Sequence, residues 1–199
     1  RKEIGLPEER IKKHGRTDNF WGPTGSEGPC GPTTEIYVDG VEIWNLVFNE
    51  YYCRAGGLEK LETLGIDTGM GLERLAMIVQ NKKNIFETDL FVGLVENSPA
   101  NLDTRQKRII ADHVRACCFL IADGVRPDNK KVGYVLRRLL RRALSQIKFD
   151  EFTVLLDWIV SNYSATYPEL KLPIQKVVAD EDKKFGSLLT LGLKKLKQM

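Results

Sequence analysis

The chain has 199 residues, of which 42% are hydrophobic and 29% charged, and a formal net charge of +3. That is the composition of a soluble globular protein of one domain or two small ones. Its apolar runs are far too short to span a bilayer, and no charged-then-apolar signal segment opens it.

The first residue is Arg1 rather than methionine, which suggests a piece of a longer product. Arg1 to Lys13 reads as a short charged helix. Thr17 to Pro32 is crowded with Gly22, Pro23, Gly25, Gly28, Pro29, Gly31 and Pro32. Such a stretch is expected to be neither helix nor central strand, and a loop this long is usually functional or disordered. Phe20 and Trp21 argue against disorder. From the residues alone, Trp21 reads as an anchor of the loop to the core.

Thr34 to Tyr51 reads as a hairpin turning at Asp39-Gly40. Val41 to Phe48 alternates, so Val41, Ile43, Asn45 and Val47 share one face, while Glu42, Trp44, Leu46 and Phe48 share the other. Asn45 is a polar group among β-branched residues, and if buried its amide needs a partner. From the residues alone, that partner is a neighbouring loop. Glu42 points away from Asn45 unless a bulge intervenes. Leu58 to Ile66 reads as strand, turn and strand, leading to Asp67.

Asp67-Thr68-Gly69-Met70-Gly71-Leu72-Glu73-Arg74 carries the most chemistry. A carboxylate ends an apolar run, two glycines follow one residue apart, and a helix begins with an arginine in its first turn. The glycines let a ligand approach the backbone closely. Helix N-terminal amides favour an anion, and a guanidinium forks onto phosphate or stacks on a base. Asp67 can hold an ammonium group. The set suits a small zwitterion beside a nucleotide, or else is an ordinary turn with a solvated arginine. There is no G-x-x-x-x-G-K-[ST], and Arg74 stands where the dinucleotide fingerprint needs its third glycine.

The helix after Gly71 is expected to reach about Gln80 on an apolar face of Leu72, Leu75, Ala76, Ile78 and Val79. Phe86 to Val95 is a short amphipathic segment. The pattern breaks at Asn97-Ser98-Pro99, placing the domain boundary there and giving domains 1–97 and 98–199. Beyond it, Asp103 is the expected N-cap of a helix with a stripe of Ile109, Ile110, Val114, Cys117, Leu120 and Ile121, closed by Gly124. A polar connection follows, then a helix setting Val135, Leu136, Leu139, Leu140 and Ala143 against Arg137, Arg138, Arg141 and Arg142. Helices over about 151–163 and 173–197 read as scaffold, the latter with a stripe through Val177, Val178, Phe185, Leu189, Leu193 and Leu196.

Charge is uneven: Thr104 to Lys148 holds twelve Lys and Arg against three Asp and Glu, inside an otherwise acidic chain. The arginines repeat at i, i+4 with few carboxylates in the same segment. A polyanion, RNA phosphate above all, is the expected partner. The four cysteines include no C-x-x-C, and His14 and His113 have no partner at ligand spacing, so no metal site is expected and the thiols read as reduced and intracellular.

G-M-G-L-E-R resembles the third motif of class II aminoacyl-tRNA synthetases, and Asp67 to Leu75 as a whole resembles the alanyl-tRNA synthetase family. D-N-F-W…G-P-C-G-P from Asp18 to Pro32, E-I-W-N-L-V-F from Glu42 to Phe48 and A-D-H…G-Y-V-L-R-R from Ala111 to Arg138 agree in the same order. The likeness is dense to about Arg142 and looser beyond.

The resemblance implies an α+β fold: part of a class II antiparallel sheet with flanking helices, then an all-α domain recognising the tRNA acceptor stem. It implies that Trp21, Asn45, Asp67 and Gly69 form the alanine pocket, that Gly69, Gly71 and Arg74 bind ATP, and that Asn129 meets the G·U pair of the stem with Arg137, Arg138, Arg141 and Arg142 on the RNA. From sequence alone Asn129 is a turn residue after Pro127-Asp128. Magnesium is expected with ATP, its ligands unassigned, and the cytoplasm is the expected location. The family's first two motifs lie upstream of these residues. The chain is therefore expected to need an upstream catalytic-core segment and to be inactive alone. A non-catalytic RNA-binding module and a helical scaffold whose arginines meet protein carboxylates are the competing readings.

Overall fold

The structure, a computed structural model, describes residues 3, 5–23 and 25–198. It divides into two compact units, Arg1–Lys83 and Asn84–Met199. In the first, β1 (Phe20–Trp21), β2 (Gly28–Val38), β3 (Val41–Arg54) and β4 (Gly57–Met70) form one antiparallel sheet in sequence order. The β2–β3 turn is the expected Asp39-Gly40. Both residues take positive φ, 50° and 81°, the twist that a two-residue hairpin requires.

Three local expectations for this unit fail. The stretch 1–13 holds only a 3-10 turn at Glu8–Arg10 among its described residues, where Gly5 and Pro7 interrupt helical pairing; Arg1, Lys2 and Ile4 lie outside the described residues. The Gly/Pro-rich loop ends sooner than expected, because β2 starts at Gly28 and lies between β1 and β3. Pro29 fits there because β1 does not reach it, and Pro32, which β1 does cover, lies where the β2–β3 ladder is irregular between Cys30 and Thr33. At Gly31 the strands come so close that a Cβ would stand 1.7 Å from the Phe48 carbonyl oxygen, which only glycine permits. Lastly, Leu58 to Ile66 is no hairpin. It belongs to one continuous β4, and the expected turn survives as a register slip opposite Asn49 to Tyr51.

The strand β4 runs through Gly69 to Met70, and α1 (Leu72–Val79) begins directly after Gly71. The Gly71 amide donates to the Ile43 carbonyl at 3.1 Å, tying the helix start to β3. Met77, not the expected Leu72 or Val79, is the residue α1 buries.

In the second unit, α2 (Val92–Glu96), α3 (Thr104–Ala122), α4 (Lys131–Leu144), α5 (Phe149–Tyr163) and α6 (Ile174–Leu196) surround a core of Phe91, Leu94, Ile110, Val114, Leu136, Leu140, Phe152, Leu155, Ile159 and Val178. Asp103 caps α3 as expected: its carboxylate accepts from the Gln106 amide at 2.8 Å, and its own amide donates to the Gln106 side chain at 2.9 Å. The two units part at Lys83/Asn84, not at the break near Pro99. Phe91 and Leu94 are fully buried in the helical core, and Tyr163 donates from α5 to the Leu90 carbonyl at 2.8 Å. The apolar stripe of α6 is buried only in its first half; Leu189, Leu193 and Leu196 are exposed. No helix among the described residues is long and apolar enough to cross a membrane.

Candidate functional site

The sheet unit carries a hollow of about 240 Å³ lined by Trp21, Pro23, Gly25, Glu27, Gly28, Pro29, Asn49 and Asp67. Trp21 comes from the two-residue β1, which Gly31 and Pro32 hold in place. Asp67 comes from β4, directly across from Val47. Residues that the sequence separates by forty-six positions thus line one wall.

Two residues along the same ladder, Asn45 faces Gly69. Nothing lies within 4 Å of where a Gly69 Cβ would be, so space stands open over that backbone. The amide of Asn45 donates to the Glu35 carboxylate at 3.3 Å, and Tyr37 donates its hydroxyl to the same carboxylate at 2.6 Å. That bond raises the Tyr37 phenol above its ordinary pKa, because it needs the phenol's proton.

Glu42 departs from simple alternation. Trp44 pairs with Ile36 while Glu42 pairs with Tyr37, which leaves Ile43 as an extra residue. Directly paired residues share a face, so this bulge turns Glu42 to the side of Glu35 and Asn45. There Arg74 donates from Nη1 to the Glu42 carboxylate and to the Glu42 carbonyl, both at 3.0 Å. Arg74 sits in the first turn of α1, with its aliphatic stem 3.4 Å from where a Gly71 Cβ would be. Carboxylate, open glycine backbone and oriented guanidinium therefore follow one another along β4 and into α1. An ammonium could bind at Asp67 and an anion nearer Arg74.

Glu35 and Asn49 were not singled out from the sequence, and Glu42 was set aside there because simple alternation turns it away from Asn45. Continuing the alternation from Asn45 through Val47 reaches Asn49. Glu42 needed the bulge, which no residue pattern announces.

The second unit presents the basic helix. Arg138 and Arg142 are exposed on α4, and the Arg137 and Arg138 guanidinium groups both lie 5.6 Å from the Tyr134 ring centre. Arg141 does not belong with them. Its Nε donates to Glu181 at 2.7 Å, and its guanidinium lies 5.4 Å from the Phe185 ring centre, both residues being on α6. Asn129 is exposed, and its backbone amide donates to the Asp128 carboxylate at 2.6 Å. The loop before α4 is seated against Gly133, where a Cβ would stand 2.6 Å from the Arg126 carbonyl oxygen.

The family described as tRNA synthetases class II (A) matches residues 1–199, and the chain belongs to it. Its relatives narrow the class. The alanine–tRNA ligase of Idiomarina loihiensis is 40% identical over 225 aligned residues, 96% of this chain and 26% of that protein. That of Dehalococcoides mccartyi is 40% identical over 237 residues, 100% of this chain and 27% of its own length. That of Rubrobacter xylanophilus is 42% identical over 177 residues, 71% of this chain and 20% of its own. The chain thus spans about a quarter of the length of the curated relatives it matches.

Proposed function

We propose that this chain is a section of a cytoplasmic alanine–tRNA ligase, with the sheet unit contributing to alanine activation and the helical unit to binding the tRNA acceptor stem. The observation that carries the proposal is the meeting of Trp21 and Asp67 on one hollow, next to the open backbone at Gly69. Asp67 holds the alanine ammonium, and Trp21 walls the space for a methyl side chain, with Asn45 outside the hollow beside Gly69 on the same sheet. The alanine carboxylate then attacks the α-phosphorus of ATP, pyrophosphate leaves, and alanyl-adenylate remains. A hydroxyl of the tRNA 3′-terminal ribose attacks the acyl carbon and AMP leaves.

Arg74, with Gly69 and Gly71 beside it, is the group for ATP. In the structure it is held by Glu42 at 3.0 Å, so its direction is set before nucleotide arrives. Magnesium, when bound with the nucleotide, supplies charge neutralisation at the phosphates. Magnesium is commonly held by one or two carboxylates plus phosphate oxygens. Glu42 is a carboxylate of that kind, on the face of Glu35 and Asn45 and beside Arg74. In the helical unit, Asn129, Arg137, Arg138 and Arg142 form the acceptor-stem surface; Arg141 supports α4 from behind.

ATP–pyrophosphate exchange tests the proposal. The chain alone should support no exchange, and the chain joined to its upstream catalytic-core segment should support exchange with alanine. Exchange driven by another amino acid and not alanine would overturn the assignment. RNA binding without any exchange in the completed protein would favour the non-catalytic RNA-binding reading.

A further inference from the structure

The helical unit holds three tyrosines, and one of them stands apart. Tyr163 and Tyr167 both pack edge-on against Phe119, with ring centres 5.9 and 5.1 Å away, and Tyr163 donates its hydroxyl to the Leu90 carbonyl. Tyr134 has no such aromatic neighbour among the described residues. It lies in the first turn of α4 and is 41% exposed. Its ring meets two guanidinium groups, those of Arg137 and Arg138, each 5.6 Å from the ring centre. These arginines stand three and four positions on, the spacing that brings side chains together on a helix. Val135 and Arg142 are exposed with Tyr134, while Leu136, Leu140 and Ala143 are buried on the core side of α4. Core packing therefore does not account for this ring. The backbone beneath it is fixed, because its amide donates to the Lys130 carbonyl at 3.1 Å and Gly133 before it is buried.

We infer that the Tyr134 ring is a stacking platform for an unpaired base of the bound RNA, beside the duplex contacts proposed for Asn129 and the α4 arginines. This rests on the proposed binding of the acceptor stem and adds to it a contact that is not ionic. Arginines on a helix face answer phosphate, which every nucleotide carries. A flat aromatic answers the face of a base. Inside a duplex both faces of a base are covered by the neighbouring pairs, so an unpaired nucleotide is the one that offers a face. The 3′ end of a tRNA is single-stranded and adjoins the acceptor stem. Arg137 and Arg138 suit the same partner, since a guanidinium beside the ring can stack on a base or reach the phosphates that flank it.

Titrating the full chain with two hairpin RNAs of one acceptor-stem sequence tests this, one with a single-stranded 3′ extension and one ending flush. Tyr134→Leu should weaken binding of the extended hairpin about tenfold, the scale of one base stacked on an aromatic, and that of the flush hairpin by less than about twofold. Tyr134→Phe keeps the ring and should bind the extended hairpin as the unsubstituted chain does. The salt slope of the leucine variant should stay unchanged, because no phosphate contact is lost. Equal weakening on both hairpins, or a flattened slope, would overturn the inference by showing that the ring merely positions the arginines. Unchanged affinity of the leucine variant for the extended hairpin would overturn it too. A loss in Tyr134→Phe as large as in Tyr134→Leu would assign the contact to the hydroxyl instead of the ring. A lowered urea midpoint or failure of the leucine variant to fold would make Tyr134 a structural residue and end the inference. If the unsubstituted chain bound neither hairpin, the functional reading of the helical unit would fall, and this inference with it.

Discussion

Arg141 on α4 and Glu181 on α6 form an ion pair with Nε 2.7 Å from Oε1, and its two ends differ in environment: the Glu181 side chain is 4% exposed and that of Arg141 26%. Removing the arginine strands a buried carboxylate, whereas removing the carboxylate leaves an arginine that can reach water. Arg141→Met should therefore cost about 3 kcal/mol, within the range for breaking a buried pair, and Glu181→Gln clearly less. Urea melts of both variants and of the double variant measure the asymmetry. Equal losses would show that solvent reaches both ends.

The same pair divides the arginines of α4. Arg138→Ala and Arg142→Ala should each flatten the salt dependence of RNA binding by about one unit of log–log slope, as expected for a lost phosphate contact. Arg141→Gln should leave the slope unchanged. Asn129→Ala should reduce discrimination between acceptor-stem minihelices with G·U and G·C pairs by more than it reduces overall affinity, since an amide can read groove-edge donors and acceptors. Titrating both minihelices at two salt concentrations reads all three effects. Equal weakening on both stems would leave Asn129 with no part in selectivity.

The contrast between Arg141 and its neighbours also marks how far the sequence can be read. Local chemistry was legible: the Asp39-Gly40 turn, the Asp103 cap and the passage from β4 through Gly71 into α1 all follow from a few adjacent residues. Long-range partners were not. The carboxylate that engages Arg141 lies forty positions downstream on another helix, so a segment poor in acid gave a false account of its surroundings. The bulge at Ile43 reverses the facing of Glu42 and depends on how two strands register. The two prolines early in β2 read as loop because the tolerance of Pro29 depends on the short reach of β1 and that of Pro32 on an irregularity in the β2–β3 ladder. The family resemblance grouped Trp21 and Asp67 with Asn45 and Gly69, whereas the residues alone gave no sign that Trp21 and Asp67 would line one hollow that Asn45 does not.

Two glycines of the first unit should respond oppositely to alanine. At Gly31 a Cβ would overlap the Phe48 carbonyl of the paired strand at 1.7 Å, and backbone cannot move aside as a flexible side chain can. Gly31→Ala should cost about 3 kcal/mol, the upper end for overpacking. Gly69 faces open space, so Gly69→Ala should leave the unfolding midpoint unchanged or raised, because alanine loses less backbone entropy. If Gly69 borders the ligand, the alanine KM should nevertheless rise. Melting curves and exchange kinetics on the two variants separate the roles.

Thiol reactivity should single out Cys53. Burial raises the pKa values of Cys117 and Cys118 well above the usual thiol range, so both stay protonated and unreactive at pH 8. Cys30 is also fully buried, while Cys53 is partly exposed. Iodoacetamide labelling of the native protein followed by peptide mapping should find Cys53 first and the α3 pair only after denaturation. Raising the pH from 8 to 9 should not bring Cys118 into reach, since its folded-state pKa is displaced upward. Early labelling of Cys117 or Cys118 would show that α3 opens under native conditions.

Asp67→Asn tests the charge at the hollow while preserving its shape. Asparagine keeps an oxygen in place but loses the negative charge facing the ammonium. A charge-assisted hydrogen bond is about twice as strong as a neutral one, so the alanine KM should rise by at least about tenfold with little change in the ATP KM. Arg74→Ala should show the reverse pattern, raising the ATP KM and sparing alanine, because Arg74 lies with Glu42 beyond the Gly69 end of the strand. The crossed effects matter more than either size alone. If both variants raised both constants together, Asp67 and Arg74 would be acting through the shared sheet rather than on separate substrates.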